Sequence, residues 1–302
     1  MNRISITEVA PRDGWQSVCG ILPTEHKLDL IELMLQAGVR HIQLGSFVSP
    51  KAIPQMADVR RLVQTLIERH PKAAFSALVP NLYGARAAVE SGLREITCVI
   101  SVSESHNKAN LNLSIDRSFD ELARIRAQFP ALRIHLDAAT AFGCPFEGRT
   151  SLDKLMPFLE RAVRIGVDGI DLCDTIGVAH PSQIACYVSA VQRAFPNMHL
   201  AVHIHDTRNM GMLNTWTAIH AGVTSVQTAL GGLGGCPFAP GASGNTATED
   251  LVYLLEREGY DTGISFSKLL AAAKRMHETV AGNYSGHHLN IGADRVRTPN
   301  EQ

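Results

Sequence analysis

The chain has 302 residues, a formal net charge of −1 and 45% hydrophobic residues, enough for one large α/β domain or two small ones with a sizeable core. Near-neutrality leaves no basic footprint for nucleic acid, and no apolar run approaches the roughly 20 residues that span a bilayer. The opening stretch "MNRISITEVAPRDG" lacks the apolar core of a signal peptide, so the expectation is a cytoplasmic protein with neither nucleic-acid nor membrane partners.

In chain order, short apolar stretches rich in β-branched residues predict strands at about 3–9, 40–45, 74–79, 95–101, 132–138, 169–173, 199–205 and 224–230. Helical patterns lie between them, as in "DVRRLVQTLIERH", "FDELARIRAQF" and "SQIACYVSAVQRAF". Four helix-to-strand joins carry a glycine, preceded by a small residue in all but the third: "LMLQAGVRHIQ", "AAVESGLREIT", "AVRIGVDGID" and "TAIHAGVTSVQ". Glycine just past a helix end supplies the left-handed cap. Strand–helix alternation implies right-handed βαβ units and a parallel sheet. Eight such units over about 260 residues match the size of a (β/α)8 TIM barrel, with a doubly wound open sheet as the alternative. Residues 1–263 are expected to form the catalytic barrel. Residues 264–302, beginning with "SFSKLLAAAKRMHETVAG", read as an appended C-terminal helix and tail packed on it. His287 and His288 fall in that tail and are expected to be exposed polar residues. The six cysteines have neither disulfide nor zinc-pair spacing and read as free thiols, mostly buried.

Active sites of such barrels form at the C-terminal ends of the strands, and the unusual polar residues fall there. The strand ends read "EVAPRDGWQ", "QLGSFVSP", "SVSESHNKAN", "DAATAFGCPFEG", "CDTIGV", "HIHDT" and "LGGLGGCPFAPGASGN". That concentration argues for an enzyme. In "AVHIHDT", strand alternation puts His203 and His205 on the interior face and Val202 and Ile204 on the helix side. Two imidazoles so spaced can chelate one cation or be a hydrogen-bonded core pair, and the motif alone leaves both readings open. Metal-dependent hydrolase barrels carry H-x-H on the first strand, whereas here it lies on the seventh. Arg12 and Asp13 in "PRDG" are either a simple turn or an oxyanion-stabilising cation beside a metal ligand. The glycine-dense loop after strand eight reads as a flexible segment bringing Cys236 and Asn245 to a substrate, or as a surface loop with a buried cysteine. Asp174 ends strand six, where a helix N-cap is the plain alternative to a chemical role.

Taken together, these motifs resemble the 3-hydroxy-3-methylglutaryl-CoA lyase family, in the barrel superfamily that also holds isopropylmalate and homocitrate synthases. The stretches that carry the resemblance are "EVAPRDGWQ", "GSFVSPKAIPQMAD", "GCPFEG", "DTIGV", "AVHIHDT" and "GLGGCPFAPGASGNTATEDLVYLLE". The resemblance implies a divalent cation, Mg2+ or Mn2+, held by Asp13, His203, His205 and Asn245. It implies Arg12 at the thioester carbonyl, Cys236 as a mobile acid or base, and Asp174 close to the reacting groups. Candidate substrate contacts are Gln16, Gln43, Ser46 and Asn110. The substrate would be an acyl-CoA, and a homodimer or higher homo-oligomer is expected. Retro-Claisen cleavage needs a deprotonated tertiary hydroxyl, a stabilised thioester enolate and a proton donor to its carbon.

The chain departs from the family pattern at named places. Gln43 stands where the family usually has a glutamate, keeping the shape but losing the charge. "WQSVCG" replaces the usual acidic and basic continuation after "RDG", and Trp15, where the family usually has a smaller apolar residue, is expected to narrow or reshape the acyl pocket. The resemblance implies a lyase releasing acetyl-CoA and a keto acid, and these departures leave a citramalyl-type acyl group as an alternative to 3-hydroxy-3-methylglutaryl. A condensing synthase or aldolase and a non-catalytic CoA-binding relative are the other readings. The short C-terminus speaks against the larger synthases.

Overall fold

The structure, a computed structural model, describes residues 3–235 and 244–291. Strands β1 (Ser5–Glu8), β2 (His41–Ser46), β3 (Ala74–Leu78), β4 (Glu95–Ser101), β5 (Arg133–Ala139), β6 (Gly169–Asp174), β7 (His199–Ile204) and β8 (Ser225–Thr228) close into one barrel. Each pairs in parallel with its neighbours in sequence, and β8 returns to β1 with Ser5 opposite Ser225. The expectation of a (β/α)8 barrel holds, and the open sheet is excluded.

The helices are α1 (Thr24–Gln36), α2 (Val59–Arg69), α3 (Leu82–Glu90), α4 (Glu104–Leu111), α5 (Ile115–Gln128), α6 (Leu152–Ile165), α7 (Pro181–Ala194), α8 (Gly211–His220), α9 (Thr248–Arg257) and α10 (Phe266–Thr279). The glycine joins do what their spacing predicts. Gly38, Gly92, Gly166 and Gly222 all have left-handed φ between 93° and 106°, and at Gly38 a Cβ would run into the carbonyl of Gly263. "ESHNKAN", read as a polar strand end, is instead α4, started by the Ser103 side chain accepting from the His106 amide at 3.1 Å.

The core lies between sheet and helices. Leu136, Ala138, Ile170, Leu172, Val202 and Ile204 point outward and are at most 1% exposed. The bore is different. TIM barrels usually fill it with branched apolar layers, but here the inward positions are largely polar. Gln43, Thr97, Asp137, Asp171, His203 and Gln227 are all buried in it. Toward its N-terminal end, His135 Nδ1 lies 3.5 Å from Asp171 Oδ2, and the His135 and His199 rings meet edge to face.

Helix α10 packs against α1 and α9. The chain after it folds back onto the mouth: Ser285 Oγ donates to the Asn245 carbonyl at 2.8 Å, and the Gly286 amide to the Gly231 carbonyl at 2.9 Å. His287 is exposed at its side chain as expected, but His288 is not. Its ring is largely buried, with Nδ1 2.5 Å from Asp250 Oδ1, because Asp250 takes the amides of both histidines and draws the turn down. Of the five described cysteines, Cys98, Cys144 and Cys173 are buried, Cys19 and Cys186 are exposed, and all are unpaired. No helix among the described residues is long and apolar enough to cross a membrane.

Candidate active site

The ends of β1, β4, β5, β6, β7 and β8 build the mouth. After β1 the chain makes a single π-helical turn, Ala10–Gly14, in which the amides of Arg12 and Asp13 both reach the carbonyl of Val9. Pro11 fixes φ at the start of the turn, and Arg12 and Asp13 emerge side by side and buried. Glu8 braces the turn from beneath. Its Oε1 accepts from the amides of Ala10 and Leu230, each at 2.8 Å, and its Oε2 from Thr248 Oγ1 at 2.7 Å. One buried carboxylate thus ties the Arg12–Asp13 turn, the loop after β8 and the first residue of α9. Burial raises its pKa to about 7, against the pull of those hydrogen bonds.

Asp13 is the hub. Its Oδ1 accepts from Arg12 Nη1 at 2.6 Å and Gln16 Nε2 at 3.0 Å, and its Oδ2 accepts from Asn245 Nδ2 at 2.9 Å. Burial works to raise its pKa, but Arg12 and the two histidines overcome that and hold it at about 2. His203 and His205 stand as strand alternation required, with their Nε2 atoms 3.0 Å apart. His205 Nε2 is 3.8 Å from Asp13 Oδ2, and His203 Nδ1 meets Gln227 Oε1 at 3.0 Å. Burial and the neighbouring ring push His203 down to about 4, and burial lowers His205 as well, so both rings stay neutral.

This set fits a divalent cation. Asp13, His203 and His205 offer donor atoms all within 4.8 Å of one another. Asn245 pairs with His205 in an isolated β-bridge. Its Nδ2 is committed to Asp13 and the Leu233 carbonyl, while its Oδ1 is buried without a hydrogen-bond partner. A carboxylate, two neutral imidazoles and a spare amide oxygen suit a hard to borderline dication. The close approach of the loop after β8 depends on glycine: at Gly232, φ is 63° and a Cβ would meet the Asn245 carbonyl oxygen at 2.9 Å.

Arg12 is held on three sides. Besides Asp13, its Nε donates to Gln43 Oε1, and its Nη2 lies 3.5 Å from Asp137 Oδ2. Gln43 in turn donates to Thr97 Oγ1 at 2.9 Å. Gln16 and Asn110 line the same cavity as Arg12, Asp13, His203 and His205. Gln43 and Ser46 do not. Gln43 sits one layer deeper, behind Arg12. Ser46 lies across a register shift between β2 and β3, buried with its hydroxyl unpartnered. Trp15 does not narrow the pocket either: the π-helical turn carries it into the core, where it is wholly buried. Asp174 braces its own loop, its two oxygens accepting from the amides of Val178 at 2.9 Å and Ala179 at 3.0 Å. Burial raises its pKa. Cys236 lies outside the described residues.

Sequence reasoning missed Glu8, Asp137 and Gln227. Asp137 lines the cavity and accepts from Gln227 Nε2 at 3.2 Å. The available signal was polar residues alternating with apolar ones at the inward positions of a strand, His135 and Asp137 in "IHLDAA" and Ser225 and Gln227 in "SVQTA".

The HMGL-like family profile matches residues 3–276. The chain is similar to the (R)-citramalyl-CoA lyase of Chloroflexus aurantiacus, 40% identical over 296 residues that cover 93% of this chain and 92% of that protein. It is also similar to the human mitochondrial hydroxymethylglutaryl-CoA lyase, 42% identical over 272 residues that cover 89% of this chain and 83% of that one. Among solved structures, an HMG-CoA lyase from Acinetobacter baumannii in complex with coenzyme A and 3-methylmalate matches with a TM-score of 0.92 at 37% identity, covering 98% of this chain and 97% of that chain.

Proposed function

The chain belongs to the HMGL-like family, and from that premise we propose that it is a divalent-metal-dependent acyl-CoA lyase cleaving a 3-hydroxy-3-methylglutaryl-CoA-like substrate to acetyl-CoA and a keto acid, acetoacetate for HMG-CoA itself. It is a carbon–carbon lyase, as its relatives are. The observation that carries the finer reading is the convergence of Asp13, His203, His205 and Asn245 beside Arg12 in one cavity.

In this reading those four residues hold Mg2+ or Mn2+. A bound dication makes the substrate's tertiary hydroxyl more acidic and fixes its orientation. Arg12 receives the charge that develops on the thioester oxygen when the C2–C3 bond breaks. Its guanidinium is already clamped by Asp13, Gln43 and Asp137, so little reorganisation is needed as that charge appears. Gln16 and Asn110 contact the acyl group from the rim. Gln43 acts from behind, through Arg12. Asp174 shapes the "DTIGV" loop beside His205. Cys236, by the family resemblance, gives the proton to C2. Residues 1–263 form the catalytic barrel and 264–302 its appendage, in a cytoplasmic homo-oligomer.

Two observations favour a second substrate, a citramalyl-type acyl-CoA: the neutral Gln43 against Arg12, and the 40% identity to a citramalyl-CoA lyase over 93% of the chain. The deciding experiment measures acetyl-CoA release from HMG-CoA and from (R)-citramalyl-CoA with Mg2+ or Mn2+, and acetyl-CoA condensation with 2-oxo acids. Release from either thioester supports the lyase. Condensation alone points to a synthase, and no turnover in any arm removes the proposal.

A further inference from the structure

Two carboxylates line the cavity among the described residues, Asp13 and Asp137. Asp13 is spoken for by Arg12, Gln16 and Asn245. In the reading above Asp137 only helps to hold Arg12, and its setting is unusual. It is 3% exposed, and one oxygen accepts from Gln227 at 3.2 Å while the other lies 3.5 Å from Arg12. On the adjacent strand its in-register partner is a second carboxylate: Asp137 and Asp171 are paired Cα to Cα between β5 and β6, both buried. Gln43, on the other side of Arg12, cannot accept a proton.

We propose that Asp137 is a further catalytic residue, the base that takes the proton from the substrate's 3-hydroxyl. The proposal rests on the lyase reading. In the step, the hydroxyl O–H bond breaks and its proton passes to a carboxylate oxygen of Asp137. The freed oxygen electron pair forms the ketone C=O as the C2–C3 bond breaks, and the electrons of that bond become the thioester enolate beside Arg12. C2 then takes one proton to give the acetyl thioester. Asp137 releases the one it received to solvent, so the count closes.

The electrostatics of the pair suit that work. Burial, and then the like charge of Asp171, raise the pKa of Asp137 to about 7 against the pull of Arg12 and His135, near the optimum for a base at neutral pH. The other titratable group facing it is Cys173 on β6, with His203 reached through Gln227; Cys98 on β4 is in register with Leu136 and lies on the outer face.

The test compares wild type, Asp137→Asn and Asp171→Asn by kcat/KM against pH on the thioester that wild type cleaves, by Mn2+ content, and by infrared titration of carboxyl groups in metal-free protein. Asp137→Asn should keep Mn2+ and lower kcat by roughly 10²–10⁴-fold, losing the ascending limb near neutral pH. Asp171→Asn should keep activity and move that limb to lower pH, because one buried carboxylate no longer opposes ionisation of the other. Glu8 is also buried and titrates in the same range, so the band is read by difference: wild type should hold a protonated-carboxyl component titrating near neutrality that shifts in Asp171→Asn and is lost in Asp137→Asn, while the Glu8 component stays. An active Asp137→Asn, or a limb and band that Asp171→Asn leaves in place, overturns the proposal. Should Asp137→Asn not fold, Asp171→Asn decides alone. Failure of wild type to cleave any 3-hydroxyacyl-CoA counts against the lyase reading instead, and absence of a neutral component that Asp137→Asn removes still overturns the role of Asp137.

Discussion

Glu8 offers the sharpest check on how the site is held together. Glu8→Ala strips the acceptor from two buried backbone amides, those of Ala10 and Leu230, and from the Thr248 hydroxyl. Each orphaned buried donor costs roughly 1–3 kcal/mol, so the two amides alone amount to about 2–6 kcal/mol. Glu8→Gln should cost far less. The amide oxygen can take the place of Oε1 and accept both backbone groups. Its NH2 can face Thr248 Oγ1, which then turns its own proton to Thr228 Oγ1, 2.9 Å away. The two variants also separate packing from charge. In the folded protein Glu8 titrates at about 7, above its ordinary 4.5. Between those values the unfolded chain has given up the proton and the folded chain still holds it, so stability falls as pH rises through that window and is flat above it. At about 1.4 kcal/mol per unit, the fall is on the order of 3 kcal/mol, and Glu8→Gln should remove it. Urea unfolding of the three proteins from pH 5 to pH 8 measures both effects. A loss under 1 kcal/mol in Glu8→Ala, or the same pH slope in wild type and Glu8→Gln, would refute the bracing argument.

His205→Ala should weaken Mn2+ by more than the roughly 10–100-fold that an outer-sphere partner is worth, and unchanged metal content by elemental analysis takes His205 out of the ligand set. Arg12→Lys keeps the charge but cannot meet Asp13, Gln43 and Asp137 together, so kcat should fall by roughly 10²–10³-fold with Mn2+ retained; a wild-type kcat contradicts the enolate role. Gln43→Glu puts a carboxylate against Arg12, and the preference between HMG-CoA and (R)-citramalyl-CoA should shift by about tenfold, within the range that pocket contacts supply. An unaltered ratio of kcat/KM values means that Gln43 does not set acyl choice. Cys236→Ser should hold its metal while kcat drops, and loss of Mn2+ instead speaks against an acid–base role.

The barrel was legible because its signal repeats. The glycine joins recur, and each repetition raises the weight of the others. The candidate cation site was legible for a related reason: His203 and His205 share a face by strand alternation alone, and closure makes the first, seventh and eighth strands neighbours, bringing Asp13 and Asn245 to them. What escaped depends on register and on the path of turns. That Asp137 sits opposite Asp171 follows from a pairing between strands more than thirty residues apart, which neither "IHLDAA" nor "IDLCD" announces. Trp15 and Ser46 were placed near the acyl group because their neighbours in sequence belong there. A π-helical turn sends the first into the core, and a shifted register sends the second away from the cavity. Residue types name the chemistry, but the direction of a side chain after a turn is settled by backbone geometry.

The division of labour between the two faces of the sheet bears on how such a protein changes over generations. Folding is secured on the outer face, where apolar side chains meet the helices and large-to-small changes cost several kcal/mol. The bore is furnished with hydrogen-bonding and charged groups, and one polar side chain can be exchanged for another there without opening a void in the shell. Gln43, Thr97, Asp137 and Asp171 are therefore positions where acyl preference and proton-transfer chemistry can drift while the shell goes on folding the chain, so a duplicated gene has room to acquire a new thioester before it loses its barrel.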